Sequence, residues 1–116
     1  MKYMLLIYGD EAAQAHATPE QGQAVADQYE AFTQSIRSSG NYLDGDPFMP
    51  TTTATTVSPD GDGVGSNGGP AVTTSPQLIA YYKVEADGPE QAVELAKQVP
   101  HARFGAVEVR QIVQYD

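Results

Sequence analysis

Cysteine is absent from this 116-residue chain, which excludes a disulfide framework, a thiolate metal site and a cysteine nucleophile. Basic residues are scarce. Lys2, Arg37, Lys83, Lys97, Arg103 and Arg110 stand singly against fifteen acidic residues, for a formal net charge of −9. Binding a phosphate backbone or an anionic bilayer takes a concentrated positive patch, so neither nucleic acid nor membrane is an expected partner. Acidity of this size reads as a solubility feature. Long apolar runs are missing too. The longest near the N-terminus, Tyr3 to Tyr8, is only strand-sized. Lys2 alone precedes it, and Asp10 and Glu11 follow it, which is not the pattern of an export signal; the expected location is cytoplasmic.

What is present suits one packed domain spanning residues 1–116, with 41% hydrophobic and 18% charged residues. Lys2–Tyr8 is apolar on both alternating sets and reads as a central strand. Thr18, Pro19 and Gln21 form a capping-box start for a helix over 19–38, with an apolar stripe of Val25, Tyr29, Phe32 and Ile36 and a stop at Gly40. Tyr42–Met49 is a short strand, confined by Pro47 to an edge or an irregular piece. Thr51–Val57 is β-prone, and Ser58–Pro70 reads as a long flexible hairpin or loop with residues 59–69 the most mobile. Leu78–Glu85 is a second strand. A helix begins at Asp87-Gly88-Pro89-Glu90 and is ended by Pro100, and Ala106–Val113 closes the order as a last strand. Leu5 or Leu6, Phe32, Ile36, Leu95 and Val107 are the expected core.

Two strand–helix–strand halves predict an α+β fold, a ferredoxin-like βαββαβ sandwich with an extra hairpin or loop insertion and both helices on one sheet face. The other face would keep an apolar set of the first strand together with Ile79 and Tyr81. Left in water, it would form a large apolar patch, so a homodimer through that face is expected.

The chemistry-bearing residues are few. Asp60-Gly61-Asp62-Gly63-Val64-Gly65-Ser66-Asn67 has a calcium-loop flavour, but Val64 stands at the fifth ligand position and Ala71 at the bidentate glutamate position, so a turn-rich loop and no metal are expected. The glycines of 61–69 make no phosphate loop, lacking its Lys-Ser/Thr ending and following helix. Asp10 and His16 lie between the first strand and first helix, where a fold of this kind can place functional groups, although a histidine before a helix is commonly only solvated. His101, after Pro100, reads as a turn residue. Tyr81 and Tyr82 must point to opposite faces, so one packs in the core and the other can line a pocket.

Met1-Lys2-Tyr3-Met4-Leu5-Leu6-Ile7-Tyr8-Gly9-Asp10-Glu11, Thr18-Pro19-Glu20, Thr53-Ala54-Thr55-Thr56-Val57, Tyr81-Tyr82, Glu90-Gln91-Ala92 and Gly105-Ala106-Val107-Glu108-Val109-Arg110 together resemble YCII-related proteins of the DGPF-domain type. The resemblance covers essentially the whole chain and implies a ferredoxin-like fold and a dimer of the dimeric α/β barrel type. Where the family carries its Asp-Gly-Pro-Phe turn, this chain has Gly68-Gly69-Pro70-Ala71, followed by Val72-Thr73-Thr74-Ser75-Pro76 in place of a charged stretch. Activity that relatives owe to those side chains therefore does not carry over. The broader family includes enzymes credited with a His–Asp pair, and no matching motif surrounds His16 or His101.

These readings lead to a small-ligand-binding or enzyme-like dimer with a cleft at the subunit interface, to which Asp10, His16 or Tyr81 contributes, and with no cofactor. The alternatives are a non-catalytic accessory or regulatory protein acting through protein contacts, and a purely structural oligomer.

Overall fold

The structure, a computed structural model, describes residues 1–115. Its backbone is built of strand β1 (Lys2–Gly9), helices α1 (Glu11–Ala15) and α2 (Pro19–Ser38), strands β2 (Tyr42–Pro47), β3 (Thr55–Asp60), β4 (Gly63–Gly68) and β5 (Gln77–Glu85), helix α3 (Pro89–Lys97) and strand β6 (Ala106–Gln111). This is an α+β fold with antiparallel sheets. A four-stranded sheet runs in the order β2-β5-β1-β6, and β3 and β4 form a separate two-stranded ladder.

The longest helix follows from its ends. Thr18 accepts from the Gln21 N–H while the Gln21 side chain accepts from the Thr18 N–H, closing the capping box. Pro19 occupies the first turn and Gly40, at φ 80°, makes the left-handed exit. The expected range of 19–38 is the one found. The short helix α1 was not expected; Asp10 nucleates it by accepting from the N–H groups of Ala12 and Ala13.

One face of the sheet holds the core. Tyr3, Leu5 and Ile7 of β1 and Tyr82 and Val84 of β5 are buried beneath Phe32 and Ile36 of α2 and Ala92, Leu95 and Ala96 of α3. Leu5, not Leu6, is the inward residue, and Val107 packs at the edge of this cluster only partly buried. The other face carries no helix. Met4, Leu6 and Tyr8 stand there half-exposed.

One expectation about the sheet is overturned. Ile79 does not join the helix-free face. The β1–β5 pairing runs from Ile7↔Ala80 directly to Tyr8↔Leu78, so Ile79 is an extra residue in a bulge. The bulge reverses the alternation, turning Leu78 outward beside Tyr8 and Ile79 inward against the core. Of the two readings of residues 58–70, hairpin or loop, the hairpin is the one found. Six residue pairs link β3 to β4 across a two-residue connection, with Gly61 at φ 59° in the first central position that a type II′ turn reserves for glycine. The polar composition that suggested a loop belongs to a hairpin with no apolar face to bury. In addition, Thr51–Thr53 is a 3-10 turn rather than strand, and β6 stops at Gln111 instead of Val113.

The molecule is flat, 49 × 47 × 18 Å. Its radius of gyration is 16.1 Å, against about 13 Å for a compact domain of roughly 100 residues. The β3–β4 arm accounts for part of this spread, since its ladder is not joined to the main sheet. The arm's base is tied down by Glu11, whose carboxylate accepts from the Thr51 N–H at 2.7 Å and the Thr51 hydroxyl at 2.5 Å. No helix is long and apolar enough to cross a membrane among the described residues.

Candidate functional site

The residues singled out in the sequence do not converge. Asp10 is spent on capping α1, and His16 is the exposed C-cap of the same short helix. Tyr81 is elsewhere, on the helix-free face, because its neighbour Tyr82 points into the core. Its hydroxyl donates to Asp46 at 2.9 Å and Asp44 at 3.2 Å, and its ring stacks on Phe48 with centroids 5.8 Å apart. The hydrogen bond to Asp46, with help from burial and from Asp44, pushes its pKa up to about 12. Asp60 and Asp62 sit at the tip of the β3–β4 arm, and no cluster of three metal-ligating side chains occurs among the described residues.

A different set of groups does come together, on the helix-covered side. Between α2 and the β2–β5 edge lies a cavity of about 490 Å³. Val25, Ala26, Tyr29, Thr33 and Arg37 supply one wall from successive turns of α2, and Tyr42, Gly45, Ile79, Ala80 and Tyr82 supply the other from the sheet. Gln14 and His101 close one end. Ala26 and Ala80 add little bulk to its lining, and Gly45 lets the Tyr82 ring lie against β2, where a Cβ would come within 2.7 Å of it.

His101 is the polar centre of this wall. The sequence suggested a solvated turn residue, but only 4% of it is exposed. The 3-10 turn Pro100–Arg103 carries it back under β1, where its ring lies over Gly9. A Cβ on Gly9 would sit 2.7 Å from the imidazole Cδ2, so glycine is required there by close approach. Phe104 packs against the ring at 4.5 Å between centroids. Nδ1 is 2.5 Å from the Tyr29 hydroxyl, and Nε2 is 3.4 Å from the Gln14 carboxamide nitrogen.

Burial fixes the protonation of this pair. Desolvation lowers the pKa of His101 and raises that of Tyr29, the latter opposed by the His101 backbone N–H. Near pH 7 the pair is therefore neutral imidazole and neutral phenol. A protonated phenol this close to Nδ1 donates to it, leaving the ring proton on Nε2, which can be offered to Gln14 with its amide turned to present oxygen. Further along the cavity, Thr33 and Tyr82 share a 2.7 Å hydroxyl–hydroxyl hydrogen bond, and Arg37 lies over the Tyr42 ring at 4.7 Å. Sequence reasoning missed His101 because its burial depends on a long-range contact with Gly9. The only local signal was Tyr29 in a helical stripe, which reads equally as core.

The chain matches the YCII-related domain over residues 1–116 and belongs to that family. No curated protein matches it.

The lowered pKa of His101 has a measurable consequence. The unfolded chain takes up a proton near the ordinary value of 6.5 while the folded chain does not. His101 thus contributes stability that is fully present above that pH and is lost as pH falls toward the lowered folded value. Urea-unfolding free energy measured from about pH 7.5 down to about pH 5.5 should decline in the wild type and decline less in His101→Gln. Equal slopes in the two proteins would place His101 in solvent.

Proposed function

We propose that this YCII-related protein binds a small, largely apolar molecule in the cavity beneath α2, with the Tyr29–His101 pair as its hydrogen-bonding and proton-exchanging centre. The observation that carries this reading is the 2.5 Å contact between Tyr29 and the Nδ1 of a buried, neutral imidazole in the wall of an open, mostly apolar cavity. Concave apolar sites with a few convergent polar groups are the usual form of a ligand pocket, and titratable groups displaced by burial gather at functional sites. The phenol and imidazole can pass a proton between them, although the burial that keeps both neutral makes His101 a weaker base and Tyr29 a weaker acid than in water. An enzyme-like role is thus a chemical capacity of the site.

The strand order β2-β5-β1-β6, with both helices on one face, supports a ferredoxin-like βαββαβ reading for one domain over the whole chain. Its bare face supports the homodimer expected from the sequence. Met4, Leu6, Tyr8, Leu78 and Tyr81 stand there with no helix over them, in a body 18 Å thick. A second copy laid on that face would complete a two-layer sandwich and would close a groove of about 800 Å³ between Tyr8, Leu78, Met49 and Val72. This groove, not the cavity under α2, is the part of the surface that fits a cleft at a subunit interface. The same bare face also favours the second reading, an accessory protein acting through protein contacts.

The neutral probe 4-propylphenol separates these readings. Added to the labelled protein, it should shift the amide resonances of Val25, Tyr29, Thr33, Tyr82 and His101. Ala26→Trp, a bulky residue at an exposed helical position on the cavity rim, should abolish those shifts. Shifts that map to the helix-free face, or none at all, would remove the cavity as the functional site.

Light scattering at low micromolar concentration and moderate salt should report twice the 12.4 kDa chain mass. A folded monomer under those conditions would contradict the dimer while leaving the cavity intact.

A further inference from the structure

Resting on the reading of the cavity as a ligand site, we infer that its ligand is an elongated monocarboxylate, with its carboxylate held by Arg37 and its far end against Tyr29 and His101. The polar groups of the cavity are distributed in a way that selects for such a molecule. Tyr29, Thr33 and Arg37 follow one another at four-residue intervals on α2, and all three line the cavity. At 1.5 Å per residue, the eight residues from Tyr29 to Arg37 span about 12 Å. In the middle of this row one hydrogen bond joins Thr33 to Tyr82, which leaves one of their two hydroxyl protons to meet a neutral group along the ligand. At the two ends the Tyr29 oxygen keeps lone pairs to accept with and the Arg37 side chain keeps its donors.

The two ends differ in kind. At one, the Tyr29 oxygen, whose proton goes to His101, can accept a hydrogen bond from an uncharged group. At the other stands a full cation. Among the described residues Arg37 has no ion-pair partner, and its guanidinium carbon lies 4.7 Å from the Tyr42 ring centroid on an exposed turn of α2, so its N–H groups are open to a ligand. The other charged residue lining the cavity, Asp46, is engaged by the Tyr81 hydroxyl on the opposite face of the sheet.

A planar fork with one charge matches a carboxylate, which it can bind bidentately. A phosphate or a dicarboxylate is a poorer match. The cavity offers no second cation, and a chain of net charge −9 repels each additional negative charge on a ligand. The combination of one arginine, an apolar body and a neutral hydrogen-bonding end describes an aryl or alicyclic acid roughly as long as the row on α2.

The probe is 3-(4-hydroxyphenyl)propionate, which adds a carboxylate to the ring and chain of the neutral phenol used above; its amide serves as the uncharged control. Calorimetric titration into the wild type should show the acid binding more tightly than the amide. Arg37→Gln should weaken the acid by about tenfold or more, the size of a charge-assisted hydrogen bond at a partly exposed site, and leave the amide within about twofold. Arg37→Lys should restore part of the loss, since a point charge replaces the fork. A merely structural role for Arg37 would move both ligands together. Equal affinity for acid and amide, or equal losses in Arg37→Gln, would overturn the carboxylate assignment while the neutral phenol still occupied the cavity. If neither acid nor amide bound and 4-propylphenol did, the assignment would fall in the same way. If 4-propylphenol failed as well, the cavity reading itself would fail.

Discussion

Strand β1 has two apolar faces, and the chain has helices for only one of them. Tyr3, Leu5 and Ile7 are nearly fully buried under α2 and α3, while Met4, Leu6 and Tyr8 are left on a face that no other element covers. Much of the molecule follows from that imbalance. The two-layer body is thin because nothing is stacked on the second face, and the β3–β4 arm lies outside the main sheet because its own residues have no apolar face to bring inside. A residual apolar face on a four-stranded sheet is of the size that a second copy covers in an ordinary interface.

The covered face is also where the site arises. Phe32, Ile36, Tyr82 and Val84 belong to the packed core, and the cavity opens toward the start of α2, where Ala26 and Ala80 are part of its lining. The bulge in β5 places Ile79 inward at that point, and Gly9 leaves room for the ring of His101 beside it. The result is a cavity whose apolar walls come from the same stripe that makes the core. Its polar groups arrive from five separate segments: α1, α2, β2, β5 and the turn after α3. Desolvation by those walls keeps the imidazole and the phenol neutral, so the packing that defines the cavity also sets its acid–base character.

Helices α2 and α3 and the two long strands were legible because each carries its own local instructions. Thr18-Pro19 with Gln21, Gly88-Pro89-Glu90 and the apolar run of β1 announce start, stop and face without reference to the rest of the chain. The arm was harder to read. Gly, Asp, Ser and Asn satisfy the rules for a loop, and only the pairing of Thr55–Asp60 with Gly63–Gly68 makes them strands. Ile79 was placed on the wrong face because strict alternation cannot see a bulge, and the bulge depends on how β5 pairs with β1. His101 was passed over for a similar reason. Its burial is settled by a glycine 92 positions earlier and by a tyrosine in mid-helix, and neither is marked in the sequence around Pro100. Asp10 and His16 attracted notice as titratable residues in a loop, where their work is to start and finish one short helix.

The site stands on a neutral imidazole held by a phenol in the cavity wall, and the nitrogen-15 shifts of the His101 ring test it directly. Followed from about pH 8 to about pH 5, the ring should stay neutral below the ordinary imidazole value of 6.5, with its proton on Nε2 and an Nδ1 shift typical of a hydrogen-bond acceptor. Protonation of His101 at that ordinary value would mean that the ring is solvated, and would contradict the site built around it.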